Sequence, residues 1–180
     1  MSILKSLYWG IYGSTIKNPE IPSNPRSFLF VCQGNICRGP FAAGLAENLL
    51  GKQAYFRCGS AGTHVMVQAP SPREAVLAAK EFGVDLQHHL SRHIELGMVE
   101  SFDMILAMEA GQYRYLKNTF SPFQGKIFLL PLFDTDLSYG SDRIHLFNIE
   151  DPYDKPLDVF LNCYKRIKIC LEGLFGQVRT

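Results

Sequence analysis

The sequence predicts an α/β fold, a four-stranded parallel sheet with helices on both faces. Two observations lead there. Four short runs are apolar at every position rather than at alternate ones, the pattern of strands buried on both sides. Between them lie segments whose apolar residues recur at helical spacing, and strands alternating with helices build a parallel sheet by right-handed crossovers.

In order, residues 1–25 stand apart, because Pro19, Pro22 and Pro25 with Asn18, Ser23 and Asn24 suit an extended linker and neither helix nor strand. The domain is expected to run from 26 to 180. "SFLFVC" (27–32) is the first strand, and "PFAAGLAENLL" (40–50) is a helix with Pro40 in its first turn and Gly51 as its stop. "AYFRCGS" (54–60) reads as the second strand, and "SPREAVLAAKEFG" (71–83) as a helix capped by Ser71 with Pro72 following. "DMILAM" (103–108) is a third strand, "EAGQYRYLKN" (109–118) a helix, "KIFLLP" (126–131) a fourth strand and "LDVFLNCYKRIKICLEGLF" (157–175) a long closing helix.

The chain is long enough, at 180 residues and 47% hydrophobic, for one domain with a substantial core. A net charge of +1 gives no ground for a nucleic-acid partner, so any anion specificity must be local. Five cysteines without C-x-x-C spacing argue against a zinc site or a disulfide framework, and for a reducing, cytoplasmic setting. No apolar run approaches the roughly 20 residues of a membrane span. The start of the chain lacks the cleavage pattern of a secretory signal, and its apolar residues, Leu4, Leu7, Tyr8, Trp9, Ile11 and Tyr12, are expected to dock on the domain or a partner.

Between the first strand and its helix lies "VCQGNICRGP" (31–40). In a parallel α/β sheet, ligands bind beyond the carboxyl ends of strands, where Cys32 falls. A tight loop feeding a helix start aims several N–H groups at one point, with about half a positive charge from the helix dipole. Gly34 and Gly39 permit close backbone geometry, and Asn35 tolerates a left-handed conformation. Arg38 can donate two parallel hydrogen bonds to a phosphate. The same cup is expected to favour the Cys32 thiolate, so one loop would bind phosphate and activate its attacker. Taken without this context, Cys32 would be a strand-end core residue and Arg38 a surface charge; the strand before and the helix after turn the reading toward a phosphate loop of Cys32, Gln33, Gly34, Asn35, Ile36, Cys37, Arg38 and Gly39.

This loop resembles the signature V-C-x-G-N-x-C-R-S-P of the low-molecular-weight protein tyrosine phosphatases, departing from it at Gly39. "SAGT" (60–63), "GVDLQHHLSR" (83–92), "FDMILAME" (102–109) and "IEDPYDKP" (149–156) follow in that family's order. The resemblance implies hydrolysis of protein phosphotyrosine through a cysteinyl-phosphate. Cys32 would be the nucleophile, Arg38 the oxyanion clamp and Asp151 the general acid, needed because the leaving phenol has a pKa of about 10. Tyr153 would line the slot for the substrate ring. Ser60 and His89 would hold the loop through Asn35. Cys37 would form a reversible disulfide with Cys32 under peroxide.

The resemblance further implies no metal or organic cofactor, and a phosphoprotein partner. Bacterial members with this acid-loop pattern act opposite tyrosine kinases that control exopolysaccharide export. Three alternatives stand beside this reading. Arsenate reductases of this fold use further cysteines after the third strand, where this chain has none. Protein arginine phosphatases carry threonine where Ile36 stands. A phosphate-binding adaptor that has lost catalysis is suggested by Gly39, although nucleophile, arginine and acid all remain. Cys58, Cys163 and Cys170 read as core or near-core residues, and His88 as a surface histidine.

Overall fold

A computed structural model describes residues 16–51, 55–135 and 146–178. Four strands, β1 (Ser27–Cys32), β2 (Arg57–Gly62), β3 (Met104–Ala107) and β4 (Ile127–Leu129), pair in parallel in the order β2-β1-β3-β4. The helices are α1 (Arg38–Leu50), α2 (Arg73–Lys80), α3 (Leu96–Ser101), α4 (Ala110–Thr119) and α5 (Leu157–Val178).

Alternate strand residues divide the core in two, because successive side chains point to opposite faces. Phe28, Phe30, Met104, Leu106 and Phe128 pack under α1, α2 and α5. Leu29, Val31, Ile105, Ala107, Ile127 and Leu129 face the side that carries α3 and α4. Both faces being covered is what makes these runs continuously apolar. The chain leaves β1 toward β2 on one side and returns toward β3 on the other, so the strand order reverses between β1 and β3. Their carboxyl ends form the crevice in which such sheets bind ligands.

The expected strands and helices are present, with four differences. Helix α1 begins at Arg38, two residues before Pro40, so the proline occupies the third helical position where no intrahelical N–H bond is needed. Ser71 does not cap α2: Pro72 takes the capping position without a side-chain bond, and the buried Ser71 hydroxyl has no partner among the described residues. Short helix α3, unread in the sequence, spans only six residues, too few for a clear helical period. The second strand starts at Arg57 and runs to Gly62; the earlier part of its expected span includes residue 54, outside the described residues.

Residues 16–26 have no regular secondary structure, yet they pack on the domain. Ile16 is buried in the α3–α4 side of the core. The Tyr113 hydroxyl donates to the Lys17 carbonyl at 2.9 Å. Asn18 lies against the outer edge of β4: its Oδ1 accepts from the Leu129 N–H at 2.6 Å and its Nδ2 donates to the Leu129 carbonyl at 3.2 Å. One side-chain amide thus satisfies edge-strand groups that would otherwise invite another strand. The apolar stretch from Leu4 to Tyr12 lies outside the described residues.

Candidate active site

The loop after β1 closes around Cys32. Asn35 takes a left-handed conformation, φ 53°, so the turn expected of the loop falls on the asparagine rather than on Gly34 or Gly39. Gly39 instead sits in close quarters: a Cβ there would lie 3.1 Å from Asn35 Nδ2, 3.2 Å from the Phe30 carbonyl and 3.3 Å from Cys32 Sγ. Gly62, at the end of β2, lets the next strand lie against the same loop, since a Cβ there would come 2.6 Å from the Gln33 carbonyl. The Thr63 and His64 N–H groups then donate to the Cys32 and Gln33 carbonyls at 3.0 Å each, tying the "SAGT" segment to the loop.

Helix α1 opens with no side-chain cap, which leaves its first N–H groups directed at the loop. The Gly39 and Asn35 N–H groups favour the Cys32 thiolate. The net effect on Cys32 in this arrangement is nonetheless upward. Burial, with the residue 2% exposed, pushes the thiol above its ordinary range. Arg38 and the two N–H groups pull the other way, and the Asp151 carboxylate adds to the rise. Burial is the largest of these influences, and the Arg38 charge that opposes it is shared with carboxylates.

That sharing is visible around Arg38, which is 1% exposed. Its Nη1 donates to Glu109 Oε1 and, at 2.8 Å, to the Ile149 carbonyl; its Nη2 donates to Asp151 Oδ2 at 2.5 Å. Nε is buried and has no partner among the described residues. One edge of the guanidinium is thus anchored to Glu109 and Ile149, and on the Nε–Nη2 edge, which has the geometry of a fork for a bidentate oxyanion, Asp151 holds Nη2. Glu109 was not singled out in the sequence. It lies two residues past the end of β3, at the same crevice as Cys32, and an acidic residue near a strand's carboxyl end was the available signal. Gln112 Nε2 steadies it with a 3.2 Å bond to Oε1.

Asp151 sits in a tight turn in which the Tyr153 N–H donates to its Oδ1 at 3.2 Å. Cys32, Gln33, Gly34, Asn35, Ile36, Cys37, Arg38, Asp151 and Tyr153 line one cleft, so the expected loop, acid and aromatic residue come together, and His64 joins them. Tyr153 is 57% exposed, at the mouth.

His89 and Ser60 fare differently as supports of the loop. His89 Nε2 lies 2.6 Å from the Asn35 carbonyl, which can only accept, so Nε2 carries the proton. Burial depresses the His89 pKa, the bond to Asn35 opposes that fall and Arg92 adds to it. Ser60 does not reach Asn35. Asn35 Oδ1 accepts instead from the Arg92 N–H at 3.1 Å, while Arg92 Nε donates to the Ser60 carbonyl at 2.9 Å. Arg92 makes the bond to Asn35 that was expected of Ser60. Asn35 Nδ2, buried beside Gly39, has no partner among the described residues.

Comparison with known proteins agrees with this arrangement. The family model for low molecular weight phosphotyrosine protein phosphatase matches residues 27–180. The low molecular weight protein-tyrosine-phosphatase Etp of Escherichia coli K12 is 32% identical over 139 residues, covering 77% of this chain and 84% of its own. The crystal structure of the tyrosine phosphatase AmsI of Erwinia amylovora superposes with a TM-score of 0.74 at 27% identity, over 87% of this chain and 95% of its own. The arginine phosphatase YwlE of Geobacillus stearothermophilus gives 0.73 at 26% identity, over 86% and 94%. A match that starts at β1 and takes in every element of the sheet leaves no room for a chance likeness of the loop alone: the chain belongs to the low molecular weight phosphotyrosine protein phosphatase family.

Proposed function

We propose that the protein hydrolyses phosphotyrosine in proteins in two steps at Cys32. The observation that carries this reading is the divided guanidinium of Arg38, which lines one cleft with Cys32 and Asp151: Nη1 is committed to Glu109 and Ile149, and on the Nε–Nη2 edge Nη2 holds Asp151 while Nε has no partner among the described residues. A phosphate dianion on that edge displaces Asp151 Oδ2 from Nη2 and accepts the loop N–H groups. The Cys32 sulfur then attacks phosphorus, an S–P bond forms, and the P–O bond to the ring breaks. Asp151 delivers its proton to the departing phenolate oxygen. Water next attacks phosphorus, Asp151 takes the water's proton, and phosphate leaves with the thiolate restored.

The proton count is consistent with the raised thiol. A neutral Cys32 beside a charged Asp151 and a charged Cys32 beside a protonated Asp151 hold the same number of protons. Moving the proton to Asp151 removes the negative charge that opposes the thiolate and prepares the acid. Tyr153 at the mouth and Ile36 in the loop offer an aromatic and an aliphatic wall to the substrate ring.

The likeness to YwlE is as close in fold as the likeness to AmsI, so the backbone does not separate phosphoarginine from phosphotyrosine; Ile36 favours the latter. The partner chemistry is a tyrosine-phosphorylated protein, with a bacterial tyrosine kinase as the partner suggested by the family. Among the described residues no helix is long and apolar enough to cross a membrane. All five cysteines are free thiols, which supports a cytoplasmic setting.

Release of phosphate from p-nitrophenyl phosphate and from phosphotyrosine and phosphoarginine peptides tests the reading. Activity on the tyrosine peptide, lost in Cys32→Ser, is expected. Binding without turnover would leave the adaptor reading, and preference for the arginine peptide would replace the substrate.

A further inference from the structure

The acid loop is held from behind by a buried arginine on the closing helix. Arg166 is 6% exposed. Its Nε donates to Asp134 Oδ2 at 3.2 Å and its Nη1 to the Asn148 carbonyl at 2.6 Å. Asn148 in turn caps α4, its Oδ1 accepting from the Ala110 N–H at 3.1 Å. The next residue, Ile149, donates its N–H to the Met108 carbonyl at 2.9 Å and offers its own carbonyl to Arg38. Asp151 follows two residues later.

We infer that Arg166 is a positioning residue for Asp151: it fixes Asn148 and Ile149 against the end of β3 and the start of α4, and so sets where the carboxyl group stands over the phosphate loop. The geometry favours this over a simple core ion pair. An arginine that served only to neutralise Asp134 would not need its second arm on a backbone carbonyl of the acid loop. α5 touches the other half of the site from the same face, since the Tyr164 hydroxyl donates to the Cys37 carbonyl at 3.2 Å. One rigid helix thereby gauges both the loop that holds the phosphate and the loop that brings the proton. Two residues of chain cannot absorb a shift at Asn148 without moving Asp151, and a displacement of about 1 Å in a reacting group costs up to roughly a hundredfold in rate.

The inference rests on Asp151 being the proton donor, and the test separates the two ideas. The second-order rate constant kcat/KM is measured for p-nitrophenyl phosphate, whose leaving group departs readily, and for phenyl phosphate, whose leaving group needs a proton. The proteins compared are wild type, Asp151→Asn, Arg166→Gln and Arg166→Lys. Inhibition by inorganic phosphate reports the integrity of the phosphate loop in each. Arg166→Gln is expected to lose about tenfold to a hundredfold on phenyl phosphate and less than about threefold on p-nitrophenyl phosphate, with phosphate inhibition unchanged. Arg166→Lys, which keeps the charge beside Asp134 but cannot span both partners, should fall between. If Arg166→Gln proves too unstable to purify, Arg166→Lys carries the same comparison at smaller amplitude. Equal losses on both esters, or none, would overturn the positioning role. An Asp151→Asn protein with no leaving-group dependence would instead remove Asp151 as the acid and leave the cysteine chemistry standing.

Discussion

Gly39→Ser restores the residue that the family signature carries after the arginine, and the structure allows its effect to be worked out. The new Cβ would lie 3.3 Å from Cys32 Sγ, so the hydroxyl it bears is within reach of the sulfur. A hydrogen bond to a charged group contributes about 1.5–3 kcal/mol, and one pH unit of titration corresponds to about 1.4 kcal/mol. The same Cβ would sit 3.1 Å from Asn35 Nδ2 and 3.2 Å from the Phe30 carbonyl, closer than side chains prefer, so the Asn35 amide must yield by a few tenths of an ångström. That crowding places the gain at the lower end. Asn35 Nδ2 would also find an acceptor in the new hydroxyl, where none exists among the described residues. The expected result is a fall of about one pH unit in the midpoint of Cys32 alkylation by iodoacetamide, together with faster p-nitrophenyl phosphate turnover below neutrality. Loss of Cys32→Ser from the alkylation signal assigns the midpoint. An unchanged midpoint in a protein that binds phosphate normally would show that the backbone N–H groups and Arg38 already supply all the stabilisation the loop can give.

Three further outcomes are expected. Asn18→Ala leaves the buried Leu129 N–H without its partner, which costs about 1–3 kcal/mol and lowers Tm by roughly 2–12 °C; a melting curve superimposable on wild type would refute the edge-clamp role. Burial pushes the Cys58 and Cys163 thiols up to about 12, with Glu47 adding to the rise at Cys58 and Arg38 opposing it at Cys163. The unfolded chain therefore releases these protons above about pH 9 while the folded protein keeps them, so the urea midpoint should fall as pH rises from 8.5 toward about 10.5, and less steeply in Cys163→Ala. Brief peroxide treatment should convert Cys32 to a sulfenic acid that condenses with the Cys37 thiol and expels water. Mass spectrometry should then find the linked peptide, and dithiothreitol should restore activity; irreversible inactivation without that peptide would exclude the switch.

What was legible in the sequence is what is local along the chain. The thiol, the turn residue and the guanidinium lie within "CQGNICR", so their chemistry can be read from spacing once the strand before and the helix after are recognised. The continuous apolar runs told of a doubly covered sheet because burial on both faces leaves no position for a polar residue. Asp151 and Tyr153 were reachable only through the family pattern, since nothing within "DPY" says which loop it faces.

The tertiary structure decided the rest, through contacts between residues far apart in the chain. Arg38 meets Glu109, Ile149 and Asp151 across 71, 111 and 113 residues, and those pairings follow from β1 lying beside β3 at the point where strand order reverses. The side chain of Asn35 accepts from the Arg92 N–H across 57 residues, where Ser60 had been expected. The direction of the Cys32 shift depends on burial first and then on Arg38, two backbone N–H groups and the Asp151 carboxylate, and spacing does not reveal which of them wins. Sequence carries a group's intrinsic chemistry; its ionisation and its partner are set by what desolvates it and what charge stands opposite, and only the folded chain brings those together.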